Sequence, residues 1–102
     1  MIIYIINIDI EKKIDKDWIS WMKKEHVPEI INLKIFKKSE IWRIKNEQKK
    51  YNSYCIKYYT KSLESYKLYK EKYAKKIQKK HSIKYKSHFN VKREILELVH
   101  EC

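Results

Sequence analysis

Residues 17–29 read DWISWMKKEHVPE and contain two of the chain's three tryptophans and its one proline. Trp18, Met22 and His26 are spaced four residues apart, so a helix through this stretch carries all three on one side. That side is either the part of a helix that packs against a sheet or the wall of a small pocket, and both interpretations stay open. The stretch therefore indicates a fold, whereas it names neither a substrate nor a reaction.

A first helix is predicted to begin at Asp15 or Asp17, whose carboxylate would cap the first turn. Pro28 has no N–H, and its ring clashes with the carbonyl of the residue four positions earlier. A proline also disfavours helical geometry at the residue before it, here Val27. We therefore expect the helix to kink or restart next to the proline and to stop near Asn32.

Four stretches have the composition of strands. Residues 2–10 place apolar side chains on both sides of an extended chain, which predicts burial of both faces at that end. Residues 39–46 and 51–59 are joined by a polar, turn-like stretch and predict a hairpin. Residues 89–99 predict a last strand, in which Arg93 lies on the same side as its apolar neighbours at every second position.

A second helix is predicted from a Ser62 cap to about Lys80, with lysines on its solvent face. Its expected apolar stripe is Leu63, Tyr66, Tyr69 or Lys70, Tyr73 and Ile77. The resulting order β-α-β-β-α-β is that of the ferredoxin-like α+β fold. The length of 102 residues predicts a single domain, residues 1–102.

The formal net charge of +12 is concentrated in residues 61–88, which contain ten lysines and two glutamates. Such a surface either binds a polyanion or is simply a solvated helix face. Nucleic-acid recognition favours arginine, and the chain has only Arg43 and Arg93. The composition therefore argues against specific nucleic-acid binding.

Other features of the composition exclude whole classes of protein. The chain has no glycine, so glycine-rich phosphate loops and dinucleotide-binding motifs are excluded. It has no run of about 18 apolar residues, so no membrane-spanning helix is predicted. Its apolar start, residues 1–6, lacks a basic region and is interpreted as a strand, not a signal peptide. Cys55 and Cys102 are too few for a disulfide framework, which favours a cytoplasmic location.

Several of these residues together resemble a known family. The start Met1-Ile2-Ile3-Tyr4, the pattern W-x-x-W-M-x-x-x-H-x-P-E over residues 18–29, and Arg93 in the last strand are similar to the domain-of-unknown-function family 4286 of short bacterial proteins. The resemblance covers nearly the whole chain. Two departures are the absence of the family's usual glycine after the first helix, at residues 32–34, and the high positive charge.

The resemblance implies membership of the dimeric α+β-barrel superfamily, which includes EthD-type proteins and antibiotic-biosynthesis monooxygenases. EthD-type proteins have a similar aromatic and His-x-Pro pattern, here Trp21 and His26 to Pro28. In that superfamily two sheets pack face to face in a homodimer, and each subunit has a cleft between its sheet and its helices. The same arrangement is expected here because an exposed apolar sheet face needs a partner.

His26 is the candidate catalytic residue, since an imidazole can act as a general acid or base near neutral pH. The alternative is that His26 only satisfies backbone groups freed by Pro28. Trp18 and Trp21 could stack on a flat aromatic ligand, or they could be ordinary core residues. The central position of Trp18 on the apolar side favours the core for that residue.

Three tyrosines and an arginine complete the candidate binding residues. Tyr4, Tyr54 and Tyr58 lie on strands that should be adjacent, so their hydroxyls are predicted to line the cleft. One arginine could anchor a ligand carboxylate. For Arg93 an ion pair with a strand neighbour or across the dimer is favoured, which leaves Arg43 as the candidate anchor.

No metal and no cofactor are expected. Glu25, His26 and Glu29 supply a single H-x-x-E spacing, which is short of the three or four converging ligands of a metal site. The other histidines, His81, His88 and His100, follow no ligand spacing.

Three functions stay open. The first is a homodimer that binds a small molecule, such as an aromatic or polyketide-like compound, and carries out cofactor-independent acid/base chemistry through His26. The second is a non-catalytic dimeric interaction or regulatory module in which the aromatic residues are core. The third is a polyanion binder that uses the lysines of the second helix.

Overall fold

One antiparallel sheet of four strands forms the base of the computed structural model, which describes residues 1–102. The strands are β1 (Ile2–Glu11), β2 (Lys38–Ile44), β3 (Tyr51–Thr60) and β4 (Phe89–Glu97). They lie in the order β2-β3-β1-β4, so β1 is central and β4 is an edge strand. All four predicted strands are present, and β2 and β4 each end two residues earlier than predicted.

Two helical segments pack on one face of this sheet. The first helical segment comprises α1 (Asp15–Trp21), a π-helical turn (Met22–His26) and α2 (Val27–Ile31). The second helical segment comprises α3 (Leu63–Tyr69), a π-helical turn (Lys70–Ala74) and α4 (Lys75–Tyr85). Short 3-10 turns, Lys12–Ile14 and Lys86–His88, lie between these segments and the strands. The order and topology are those of the ferredoxin-like α+β fold, as the sequence predicts.

None of these helices combines the length and the apolar character that crossing a bilayer requires.

Pro28 does not break the first helical segment. The backbone of His26 (φ −70°, ψ −51°) and of Val27 (φ −64°, ψ −46°) is right-handed helical. The widened π turn over Met22–His26 comes directly before the proline, and such a turn accommodates a residue that cannot join the regular hydrogen-bond ladder. The expected non-helical geometry at Val27 is therefore wrong, whereas the helix does change next to the proline, from the π turn to an α-helix that begins at Val27.

The start of this segment also differs from the prediction. Ile14 occupies the N-cap position, and neither Asp15 nor Asp17 caps the helix. Both aspartates lie in the first turn, where their charge is favourable to the helix dipole. Their carboxylates instead accept hydrogen bonds from tyrosine hydroxyls, Asp15 from Tyr54 at 2.6 Å and Asp17 from Tyr85 at 3.0 Å.

The second helical segment continues to Tyr85, past the predicted end at Lys80. Leu63 and Tyr73 of the predicted stripe are exposed. The π turn adds one residue between Tyr69 and the next buried position, which shifts burial from Tyr73 to the residue after it. The buried stripe is Tyr66, Tyr69, Ala74, Ile77, His81 and Tyr85.

The core lies between the helical segments and the sheet. Trp18, Tyr4 and Tyr58 are among its completely buried side chains. Phe36, from the connection between α2 and β2, joins them and packs edge-on against Tyr69 at a centroid distance of 5.1 Å. The turn that leads to Phe36 needs a left-handed residue, and in this glycine-free chain Lys34 supplies it with φ 65°.

The other face of the sheet carries no helix. Register places Ile3 and Ile5 of β1, Tyr59 of β3 and Leu96 of β4 on this open face, together with Trp42 of β2. Trp42 is 54% exposed and Leu96 is 45% exposed. The large exposed apolar side chains of the open face therefore lie on its two edge strands, Trp42 on β2 and Leu96 on β4.

The cap of the second helical segment gives a direct test of the local structure. The Ser62 hydroxyl accepts a hydrogen bond from the Ser65 amide at 3.2 Å, as predicted. Replacing Ser62 by alanine should lower the free energy of unfolding by about 1 kcal/mol, because one backbone donor loses its acceptor. Chemical denaturation measures this loss. Ser82→Ala, at an exposed position inside α4, is the control and should leave stability within about 0.5 kcal/mol of the original.

Candidate functional site

A small cavity lies between the sheet and the two helical segments. Its polar lining comes from Tyr4 of β1, His26 of the first helical segment, Gln78 and His81 of the second, and Arg93 of β4. The remaining lining is mostly apolar. The cavity has a volume of about 30 Å³, which is room for about two water molecules. The cavity in this conformation therefore does not hold an aromatic ring.

His26 is held in the π turn with 6% of its surface exposed. Its ring stacks on Trp21 with a centroid distance of 4.6 Å and an interplanar angle of 26°. The Nδ1 atom is buried and has no hydrogen-bond partner, so it does not satisfy the backbone groups near Pro28. Burial lowers the pKa of His26 to about 4, which the nearby Glu29 carboxylate only partly offsets. The imidazole is therefore neutral at pH 7.

A second buried histidine, His81 of α4, faces the first at a ring-centroid distance of 5.8 Å. The indole N–H of Trp18 donates to His81 Nε2 at 2.8 Å, so the neutral ring carries its proton on Nδ1. Burial lowers the pKa of His81 to about 4, and the charges of His26 and Arg93 act in the same direction. The two rings thus form a neutral histidine pair, defined here as His26 and His81.

A second helix that ends at about Lys80, as the sequence predicts, leaves His81 outside the buried stripe, so His81 is not among the sequence-predicted site residues. A usable signal was present, since Ile77, His81 and Tyr85 continue the apolar stripe at intervals of four residues. A helix extended to Tyr85 would have placed this histidine on the buried side.

Trp18 is a core residue, with no exposed surface. Its ring packs against Tyr54 at 4.9 Å, and its N–H is used by His81. Trp21 is half-buried and covers the outer side of His26.

The three candidate tyrosines lie in three different environments. Tyr4 lines the cavity, where its hydroxyl accepts a hydrogen bond from Gln78 Nε2 at 3.4 Å. Tyr54 is tied to Asp15, and burial together with that carboxylate raises its pKa to about 12. Tyr58 is completely buried with no hydrogen-bond partner for its hydroxyl, and burial raises its pKa. The structure therefore brings only one of the three to the cavity.

The arginine at the cavity is Arg93 and not Arg43, the candidate anchor that the sequence suggests. Arg43 is exposed on β2, where its Nη2 donates to Asn52 Oδ1 at 2.8 Å, and it does not line the cavity. Arg93 lines the cavity, and no carboxylate of the chain lies within ion-pair distance of it. The expected ion pair between Arg93 and a strand neighbour is therefore wrong.

No three His, Cys, Asp or Glu side chains converge to a group that could hold a metal ion.

Solved structures share this fold over nearly their whole length. A dimeric ferredoxin-like protein from an uncultured marine organism is 12% identical, with a TM-score of 0.79 over 99% of this chain and 97% of that one. A second such protein, also from an uncultured marine organism, is 16% identical, with a TM-score of 0.70 over 100% and 98% of the two chains. An ethyl tert-butyl ether d (EthD) family protein from Bacillus halodurans is 17% identical, with a TM-score of 0.67 over 97% and 100%.

At these identities the likeness concerns the fold alone. No curated protein is detectably similar in sequence. The sequence profile of the family DUF4286, described as a domain of unknown function, matches residues 1–99. The chain therefore belongs to the DUF4286 family.

Proposed function

We propose that this protein is a homodimer that binds a small organic molecule at the cavity between sheet and helices. The observation that carries the proposal is His26, which lines the cavity and whose buried Nδ1 atom has no hydrogen-bond partner. Leaving such an atom unsatisfied costs about 1–3 kcal/mol, which a bound polar group that reached it would recover. Gln78, His81 and Arg93 add further polar groups to the same cavity.

The histidine pair is better suited to hydrogen bonding with a ligand than to taking a proton from it, because both rings are neutral in the ligand-free protein. A general base works best with a pKa near the operating pH, whereas burial lowers the pKa of His26 to about 4. A neutral His26 has one donor and one acceptor nitrogen, and a neutral His81 with its proton on Nδ1 presents a donor. Acid/base chemistry by His26 requires a ligand whose negative charge raises the pKa of the ring.

The open face supports the dimer. Leu96, Ile3 and Tyr59 lie side by side across it, and Trp42 is exposed on β2. A contiguous row of apolar side chains on an exposed face is typical of an interface. Two solved proteins of the same fold are described as dimeric. A face-to-face pair of sheets would bury the open faces of both subunits and leave each cavity, on the opposite side of its sheet, separate from the interface.

Native mass spectrometry together with protein-observed NMR tests the proposal. We expect twice the chain mass, and we expect compounds from a small-fragment library to shift the His26 ring signals. His26→Gln should reduce binding of those fragments while the dimer persists, and His100→Gln, at an exposed position, is the matched control. A monomer, or a dimer whose His26 signals no fragment shifts, contradicts the proposal.

The second candidate is a non-catalytic dimeric interaction module, and the volume of the cavity favours it. A space of about 30 Å³ admits water and excludes an aromatic ligand unless side chains move. A dimer with no fragment binding is the result that this alternative predicts.

A further inference from the structure

We propose that the ligand is a small monocarboxylate, and that Arg93 and Lys70 bind its carboxylate at the mouth of the cavity. The inference rests on the proposed function, because it specifies the class of molecule that enters the same site. It is carried by a groove that adjoins the cavity and by the unpaired cations that line this groove.

The groove lies between β4 and the second helical segment and has a volume of about 490 Å³. It is lined in part by Tyr66, Lys70, Ala74 and Ile95. Tyr4, Gln78 and Arg93 line the groove and also the inner cavity, so these three residues form the boundary between the two spaces. We call this set the boundary residues.

The boundary is held by a weak contact. The hydrogen bond from Gln78 Nε2 to the Tyr4 hydroxyl is 3.4 Å long, beyond the usual range for a strong bond. Gln78 is on a helix and Tyr4 is on the central strand, so a rotation of the Gln78 side chain would connect groove and cavity without moving the backbone. A molecule in the groove would then lie within reach of the histidine pair.

The groove is positively charged. Arg93 and Lys70 line it and belong to none of the ion pairs of the chain. Glu94 also borders it, but its register with Ile5 places the side chain on the open face of the sheet. The groove therefore offers two unpaired cations to an anionic group. The planar guanidinium of Arg93 fits a carboxylate by two parallel hydrogen bonds.

The remaining surface favours an apolar body on that carboxylate. Tyr4 and Tyr66 present aromatic rings with a centroid separation of 5.3 Å, and the small side chain of Ala74 leaves room between the helix and the strand. A compact hydrocarbon or aromatic body placed there would cover apolar surface while its carboxylate contacts Arg93.

Benzoate and its uncharged analogue benzamide are suitable probes, with binding measured by NMR titration of the intact protein. We expect benzoate to bind at least about tenfold more tightly than benzamide, since a charge-assisted hydrogen bond contributes about 1.5–3 kcal/mol. Arg93→Gln should reduce benzoate affinity by about tenfold or more and leave benzamide affinity unchanged. Arg93→Lys should recover part of the benzoate affinity, because it restores the charge but not the planar fork.

Lys76→Gln is the control variant, since it removes one positive charge from an exposed position of the same helical segment outside the groove. It should leave benzoate affinity unchanged, and unchanged melting temperatures would show that both variants are folded. Equal affinity for the two probes, or equal loss in Lys76→Gln and Arg93→Gln, overturns the carboxylate proposal while small-molecule binding stands. Absence of any shift with either probe, combined with no fragment binding at His26, overturns the proposed function as well.

Discussion

Replacing Trp18 by alanine is expected to lower the free energy of unfolding by about 4 kcal/mol. The indole is completely buried, packs against Tyr54 and donates its N–H to His81. Truncation therefore leaves a large void between helix and sheet and also removes the partner of a buried imidazole nitrogen. Urea denaturation followed by circular dichroism, at one fixed protein concentration, measures the change.

Ile83→Ala is the matched control for this experiment. Ile83 also lies on a helix, but 59% of its surface is exposed, so its truncation should cost less than about 1 kcal/mol. A loss for Trp18→Ala no larger than the loss for Ile83→Ala would be incompatible with a core that is centred on this indole.

Acidification from pH 7 to pH 4 is expected to destabilise the protein by about 3 kcal/mol for each member of the histidine pair. Both rings have a pKa of about 4 in the folded protein against 6.5 for the free side chain. The unfolded chain therefore takes up protons below pH 6.5 while the folded chain does not, so stability falls as the pH falls through this window. Above pH 6.5 the contribution is constant.

Charged groups near the histidine pair, and two glutamates elsewhere, also affect how stability depends on pH. Glu29 raises and Lys80 lowers the pKa of His26, and Arg93 lowers that of His81. The lowered pKa values of Glu11 and Glu40 cause further loss of stability only below about pH 4.5, the ordinary value for a glutamate.

The double variant His26→Gln, His81→Gln should therefore flatten the stability profile between pH 6.5 and pH 4.5, whereas His100→Gln should not. Unfolding free energies from urea titrations at half-unit steps of pH give the slope. A slope that is the same in the double variant and in the original protein would show that the buried pair does not control the acid response.

Much of the fold could be predicted from the sequence because its signals are local. The alternation in residues 2–10, the polar turn before β3 and the Ser62 cap each depend on neighbours a few positions away. The family pattern in residues 18–29 adds to them. These features predict the element order, and the order admits few sheet topologies.

The candidate site was harder to predict from the sequence than the fold, because it depends on which residues of each helix face the sheet. A regular period of 3.6 residues places Tyr73 in the core, whereas the widened turn before α4 gives that place to Ala74 and brings His81 to His26. Such a turn is stabilised by packing with the sheet, which no local pattern reports.

The sequence contains a local signal that Arg93, and not Arg43, lies at the site. Arg93 alternates with Phe89, Val91 and Ile95 on the apolar side of β4, which places it on the side of the sheet that the helices cover. An ion pair with a strand neighbour does not fit this register, because the neighbours of Arg93 on that side are apolar.

The π turn of the second helical segment makes the histidine pair tolerant of a change in chain length at one place. Removing one residue from Lys70–Ala74 would convert the widened turn to a regular one, and Ala74 would then follow Tyr69 at the ordinary same-face spacing. His81 would therefore keep its contact with Trp18. Removing one residue from the regular part of α4 before His81 would instead rotate that histidine by about 100° about the helix axis and separate the pair, although both histidines would still be encoded.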